Sequence, residues 1–185
     1  MSDSTAPFLV ISCSLNPRSR SAHLAKACAE VMSASGQEVE ALDLREYPLP
    51  LCDGAGAYEA PNVAELSERI GRADGIALAL PVYNYGVNAA AKNLLELTGK
   101  AWTGKVLGFL CAAGGQASYM SVMAFAGSFM LDYRCVMVPR FVYAPGTAFG
   151  GDGITDEAVT GRIEQLGADL VNFTLALKDL TEKAP

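Results

Sequence analysis

This sequence of 185 residues is poor in charge, has one histidine and one tryptophan, and holds no closely paired cysteines. Each scarcity removes a class of function. The five cysteines (Cys13, Cys28, Cys52, Cys111 and Cys135) are an odd number without a Cys-x-x-Cys spacing, and three fall in apolar segments. Neither a disulfide framework nor a zinc site is expected from them. Charged residues make up only 18%, the formal net charge is −6 and the sequence pI is about 4.8. Nothing in that balance suggests a surface for nucleic acid or for an anionic membrane. Residues 106–131 carry no charge, but Gly114-Gly-Gln-Ala-Ser118 divides them into a strand-length piece and a helix-length piece. Neither is long enough to span a bilayer. The opening Met1 to Pro7 lacks a basic stretch followed by a long apolar run, so no signal peptide is expected and a reduced, cytoplasmic setting is. No Gly-x-Gly-x-x-Gly follows the first apolar run and no Gly-x4-Gly-Lys-(Ser/Thr) occurs, against a dinucleotide-binding Rossmann domain and an NTPase.

What is present is a half-apolar chain of a size that fits one domain, 1–185. Phe8-Leu-Val-Ile11 reads as a central strand covered on both faces. Leu24, Ala27, Cys28, Val31 and Met32 share one face of the helix that follows. Glu38 to Leu44 alternates as an edge strand, and Pro61 is placed to open a helix carrying Val63, Leu66 and Ile70. Gly75 to Leu80 reads as a third strand, Ala89 to Glu96 as a helix ended by Gly99, and Gly104 to Ala112 as a fourth strand. Cys135 to Val138 and Phe141 to Tyr143, on either side of Pro139, supply a fifth. A last helix opens near Thr155 and buries Val159, Ile163, Leu166, Leu170, Phe173 and Leu177. Between strands four and five, Ser118 to Leu131 is apolar on nearly every face. A helix of that kind is buried all round, which one sheet cannot achieve, so a subunit interface and a homodimer or homotetramer are expected.

Strands alternating with helices build a parallel sheet wrapped on both faces, and ligands of such sheets bind beyond the carboxyl ends of the strands. Three loops lie there. Ser12-Cys-Ser-Leu-Asn-Pro-Arg-Ser-Arg-Ser21 holds four serines, an asparagine and two arginines just before a helix N-terminus, a ready site for phosphate. It also reads as an exposed loop with one serine as N-cap. Pro81-Val-Tyr-Asn-Tyr-Gly86 suits a flat, amphipathic aromatic ligand, or packs its rings as a plain connection. Ala113-Gly114-Gly115 lets backbone approach a ligand closely, or turns the chain.

Together these loops resemble those of the NAD(P)H-dependent FMN reductase family, whose fold is flavodoxin-like. The likeness runs from the first strand through the fourth. It rests most on Pro81, Tyr83, Asn84, Gly86, Lys92 and Asn93, then on Ser14, Ser19 and Ser21, then on Gly114 and Gly115. Cys13 stands where glycine is usual, Asn16 where arginine is, and Ala89 where glycine is frequent. The resemblance implies a three-layer α/β sandwich with a five-stranded parallel sheet in the order 2-1-3-4-5. It implies that Ser14, Asn16, Ser19 and Ser21 hold the FMN phosphate, with Arg18 or Arg20 supplying charge. Pro81, Val82, Tyr83, Asn84, Tyr85 and Gly86 on one side and Ala113, Gly114 and Gly115 on the other would grip the isoalloxazine. The reaction implied is hydride transfer from NADPH or NADH to FMN and onward to a small-molecule acceptor such as a flavin, quinone, azo compound or metal oxyanion. The flavin carries that chemistry, so no protein acid or base is called for.

Two rivals remain. A non-enzymatic electron carrier of the same fold would bind FMN without being reduced by NAD(P)H. A small cysteine-dependent phosphatase would need Cys-x5-Arg-(Ser/Thr), whereas Arg18 is one residue too near Cys13 and Arg20 one too far, and no Asp-Pro is available as acid.

Overall fold

The computed structural model describes residues 8–151 and 153–182; the polar opening segment 1–7, on which the expectation about targeting rests, lies outside them. Every residue of β1 (Phe8–Ser12) is buried, as its unbroken apolar run requires of a strand between two neighbours and two helical layers. In chain order the elements are β1, α1 (Arg20–Ala34), β2 (Val39–Asp43), α2 (Pro61–Arg72), β3 (Gly75–Tyr83), β4 (Gly86–Val87), α3 (Ala89–Thr98), β5 (Val106–Ala112), α4 (Met123–Tyr133), β6 (Val136–Met137), β7 (Val142–Ala144), β8 (Phe149–Gly150), β9 (Gly153–Ile154) and α5 (Glu157–Glu182).

The central sheet runs β2-β1-β3-β5 with all pairings parallel. Its fifth position is shared by β6 and β7, which pair with successive parts of β5 (Val106 with Val136, Leu110 with Val142). The break falls where Pro139 has no N–H to donate and Arg140 takes a left-handed φ of 59°. The expected order 2-1-3-4-5 therefore holds, with its last strand cut in two. Alternation along β1 sends Leu9 and Ile11 to one face and Phe8 and Val10 to the other. Trp102, Phe109, Phe125 and Phe129 fill the first face against α2, α3 and α4. Leu24, Met32, Ile163, Leu166 and Leu170 fill the second beneath α1 and α5. This is the flavodoxin-like three-layer sandwich.

Two expectations need correcting. The stretch 81–86 is not a plain loop, because β3 continues through Pro81 to Tyr83 and turns back as β4. Asn84 and Tyr85 form the turn in consecutive left-handed conformations (φ 50° and 62°), the geometry of a two-residue hairpin. The apolar segment at 118 begins as a 3-10 turn (Tyr119–Val122) and becomes α4 only at Met123. Within one chain α4 is not buried all round. Phe125, Ala126 and Phe129 enter the core, while Met123, Met130 and Leu131 stay exposed, Leu131 by 84%. The sheet can cover one face of the helix and has no second face to offer.

Candidate functional site

The carboxyl end of β1 leads into a loop that its own side chains fold. The Asn16 N–H donates to Ser14 Oγ at 3.2 Å, and the Arg18 N–H donates to Asn16 Oδ1 at 2.9 Å. The Ala22 N–H donates to the N-cap Ser19 Oγ at 3.3 Å, and the Ser19 and Ser21 hydroxyls lie 2.9 Å apart. Such short-range bonds give the chain a local alternative to regular structure. Ser14, Ser19 and Ser21 are buried although polar, while Asn16, Arg18 and Arg20 remain exposed. The N–H groups at the start of α1 and its partial positive charge face the same space.

Two contacts brace this loop. Arg45 is paired through its guanidinium with Asp43 and donates from Nη1 to Pro17 O at 3.2 Å. Burial alone would raise the Asp43 carboxyl, but the side-chain and backbone hydrogen bonds from Arg45 outweigh it and hold the group below the ordinary carboxylate range. The Arg20 guanidinium lies 5.7 Å from the centre of the Phe149 ring. A Cβ on Gly146 would stand 2.8 Å from Arg20 Nη1 and 3.0 Å from Gly114 O, so glycine is what lets the guanidinium and the Gly114 turn close up there. Gly146 was not among the expected site residues. Its signal was a Pro145-Gly146 pair just after the last strand.

Cys13 points the other way. It is fully buried in the core beneath α2 and α3, and burial, helped by the Asp43 charge, pushes its thiol far above the ordinary range. A thiol buried in the core and absent from the cleft wall is not presented as a nucleophile, which counts against the phosphatase reading. A Cβ is tolerated at this position because it is directed into the core.

The loop of residues 13–21 and the ends of β3 and β5 border one cleft of about 490 Å³. Ser14, Asn16, Arg18, Ser19, Arg20 and Ser21 line its polar end; Pro81, Val82, Tyr83, Ala112, Ala113 and Gly114 line the other. Eleven of the fifteen expected site residues thus share one space. Asn84, Tyr85, Gly86 and Gly115 do not line it; they belong to the turns beyond its rim. Tyr143 holds one of those turns, donating from its hydroxyl to Gly115 O at 2.5 Å. The Ala113 N–H donates to Ala144 O at 2.9 Å. Tyr119 stacks on Phe141 with ring centres 4.8 Å apart and meets Tyr143 edge-on. Tyr143 was read only as part of a strand, because nothing in sequence joins it to Gly115.

A second hollow of similar volume lies between the 44–51 segment and α3, with mainly apolar walls such as Leu44, Leu49 and Ala90. Two of its polar side chains are already engaged. Asn93 accepts from Cys52 N–H and donates to Pro50 O, both at 2.8 Å, and Arg45 is held by Asp43. The first cleft is the more polar of the two. Its donor set fits a phosphorylated planar group such as FMN, with hydroxyls, helix N–H groups and guanidiniums at one end and a ring-sized slot at the other. Among the described residues no cluster of three or more His, Cys, Asp or Glu could hold a metal. Among them, too, no helix is long and apolar enough to cross a membrane.

Residues 7–148 match the family model described as NADPH-dependent FMN reductase. An "NADPH:quinone oxidoreductase" of Arabidopsis thaliana is 30% identical over 157 residues, 79% of each chain. An "FMN reductase (NADPH)" of Pseudomonas putida is 28% identical over 121 residues, 64% of this chain and 61% of that one. Among solved structures, the flavoenzyme NAD(P)H:(acceptor) oxidoreductase FerB of Paracoccus denitrificans superposes with a TM-score of 0.76 at 19% identity. That likeness, which bears on fold alone, covers 92% of this chain and 98% of that one. The family model over residues 7–148 and the 30% identical relative place the chain in the NADPH-dependent FMN reductase family, as an oxidoreductase that uses NAD(P)H and FMN.

Proposed function

We propose that the whole chain, 1–185, acts as one domain that holds FMN in the 490 Å³ cleft. It draws reducing equivalents from NADPH or NADH and delivers them to a small-molecule acceptor: a flavin, quinone, azo compound or metal oxyanion. One observation carries the reading, namely that the anion-binding loop and the ring-sized slot open into a single cavity containing no histidine or carboxylate. When bound, FMN would supply the hydride and electron chemistry itself. The residues bind and orient it. Ser14, Ser19, Ser21 and the first turn of α1 receive the phosphate, with Arg18 and Arg20 neutralising its charge. Val82, Tyr83 and Ala113 fix the ring plane, and the backbone of 84–86 and 114–115 offers hydrogen bonds along its polar edge. The exposed Tyr83 and Tyr85 leave room for a second flat molecule to stack.

The proposal extends to a cytoplasmic homodimer or homotetramer. The exposed apolar face of α4, with Met123, Met130 and Leu131, is its support. Light scattering tests that part, and the 19.4 kDa of a single chain is the mass that counts against it.

The deciding experiment is an anaerobic visible spectrum of the FMN-loaded protein before and after NADPH, repeated with NADH. Bleaching of the flavin band within the mixing time of a cuvette is the expected result. Tight binding without bleaching would make the chain an electron carrier, and no flavin binding would refute the site.

A further inference from the structure

Asn88 stands directly before α3, where an asparagine ordinarily caps the helix with its side-chain oxygen. It makes no such cap. The residue is 5% exposed, its Oδ1 is buried without a partner, and its Nδ2 donates to the carbonyl of Cys13 at 2.7 Å. Its own N–H donates to Pro81 O at 3.1 Å. One residue just after β4 is therefore bonded both to Pro81 of β3 and to the first peptide of the 13–21 loop, 75 positions earlier.

In a trans peptide the carbonyl and the following N–H point in opposite directions. Holding the Cys13 carbonyl turns the Ser14 N–H away from Asn88, and a donor on the carbonyl polarises the peptide and strengthens that N–H as a donor. Ser14 is 2% exposed and borders the cleft. Among the described residues no acceptor is found for its N–H, although its Oγ is engaged by Asn16. Buried backbone donors are almost always partnered, so this one is left for a ligand.

We infer that Asn88 is a positioning residue for the phosphate end of the cleft: by clamping the Cys13 carbonyl it presents the Ser14 N–H to a phosphate monoester. Because the clamp springs from the β3–α3 turn, the phosphate end and the ring end are set together. The inference rests on the FMN reading above and adds to it a residue that touches neither phosphate nor ring.

The test compares FMN with riboflavin, which differs by the phosphate alone. Dissociation constants are measured by flavin-fluorescence quenching for the wild type, Asn88→Leu and Asn88→Ala. Asn88→Leu keeps the bulk without the donor, and Asn88→Ala guards against a leucine that does not fit. The expected result is a roughly tenfold weakening for FMN in whichever variant folds, the loss of one well-aimed donor to a charged group. Riboflavin should change by less than about threefold. Equal losses for both ligands, no loss, or failure of both variants to fold by circular dichroism would overturn the assignment. A wild-type protein that binds neither flavin would overturn the parent reading with it, whereas a wild-type preference for FMN that the variants keep in full sinks this inference alone.

Discussion

The two ends of the cleft are ordered by different means. The loop of residues 13–21 is held by its own serine and asparagine side chains over two or three residues, with Arg45 as an outside brace. The ring end is ordered by sheet ladder and backbone strain. Tyr83 pairs with Gly86, Asn84 and Tyr85 sit at positive φ, and the rings of Tyr83 and Tyr85 are more than half exposed. On the proposed reading, the end that takes a charged phosphate gains from a preformed cradle, because little ordering remains to be done on binding. On the same reading, the exposed Tyr83 and Tyr85 leave the other end open to a second flat molecule. The comparison also separates the ligands: damage to the first end should be felt through the phosphate, damage to the second through the ring.

The largest effect should come from Ser14→Ala combined with Ser19→Ala. Two hydrogen bonds to a charged group at about 1.5–3 kcal/mol each give a loss of at least about 100-fold for FMN. Riboflavin should change little in the same quenching titration, and a matched loss would erase the distinction between the ends. Tyr143→Phe strikes the other end by freeing the Gly115 carbonyl, and is expected to weaken FMN and riboflavin alike by about tenfold. A loss confined to FMN would place Tyr143 at the wrong end. Tyr85→Gly removes a side chain from a left-handed position and should stabilise the apo-protein by about 1 kcal/mol. For a chain of this length that is a rise of about 2–4 °C in Tm by calorimetry, and a fall in Tm would show that the turn is not strained. The smallest effect concerns the brace. The Asp43 carboxyl is held below its ordinary range, so the stability it contributes is present above the unfolded carboxylate pKa and is lost as pH falls through the depressed one. For a partly exposed ion pair this is about 0.2–1 kcal/mol. Asp43→Asn should lower Tm slightly at pH 7 and converge on wild type near pH 2; a constant difference across that range would remove Arg45 as the cause.

How far the fold and site could be read from sequence follows the range of the interactions. β1, α1 and the hydroxyl-rich loop between them were legible because apolar runs, helical spacing and a hydroxyl-rich segment before a helix are local patterns. The hairpin at 81–87 was not, since Asn-Tyr is a poor advertisement for two consecutive left-handed residues, which usually call for glycine. Phe125 and Leu131 both looked like interface residues in an apolar helix. Only packing told them apart, the first against Phe109 and Phe129 and the second facing outward. Gly146, Tyr143 and Asn88 escaped notice because each acts on a loop far from it in sequence.

The sequence by itself determined the alternation of strands and helices, the charge balance, and the chemical character of the three loops, because hydrophobic period and turn chemistry act over a few residues. The tertiary structure decided which of those residues share one cavity, where the thiol of Cys13 goes, and which distant side chains lock the loops. Those outcomes depend on the parallel register of β1, β3 and β5, which brings chain segments 31 to 98 residues apart (Gly75 to Val106, Phe8 to Val106) to the same edge of the sheet.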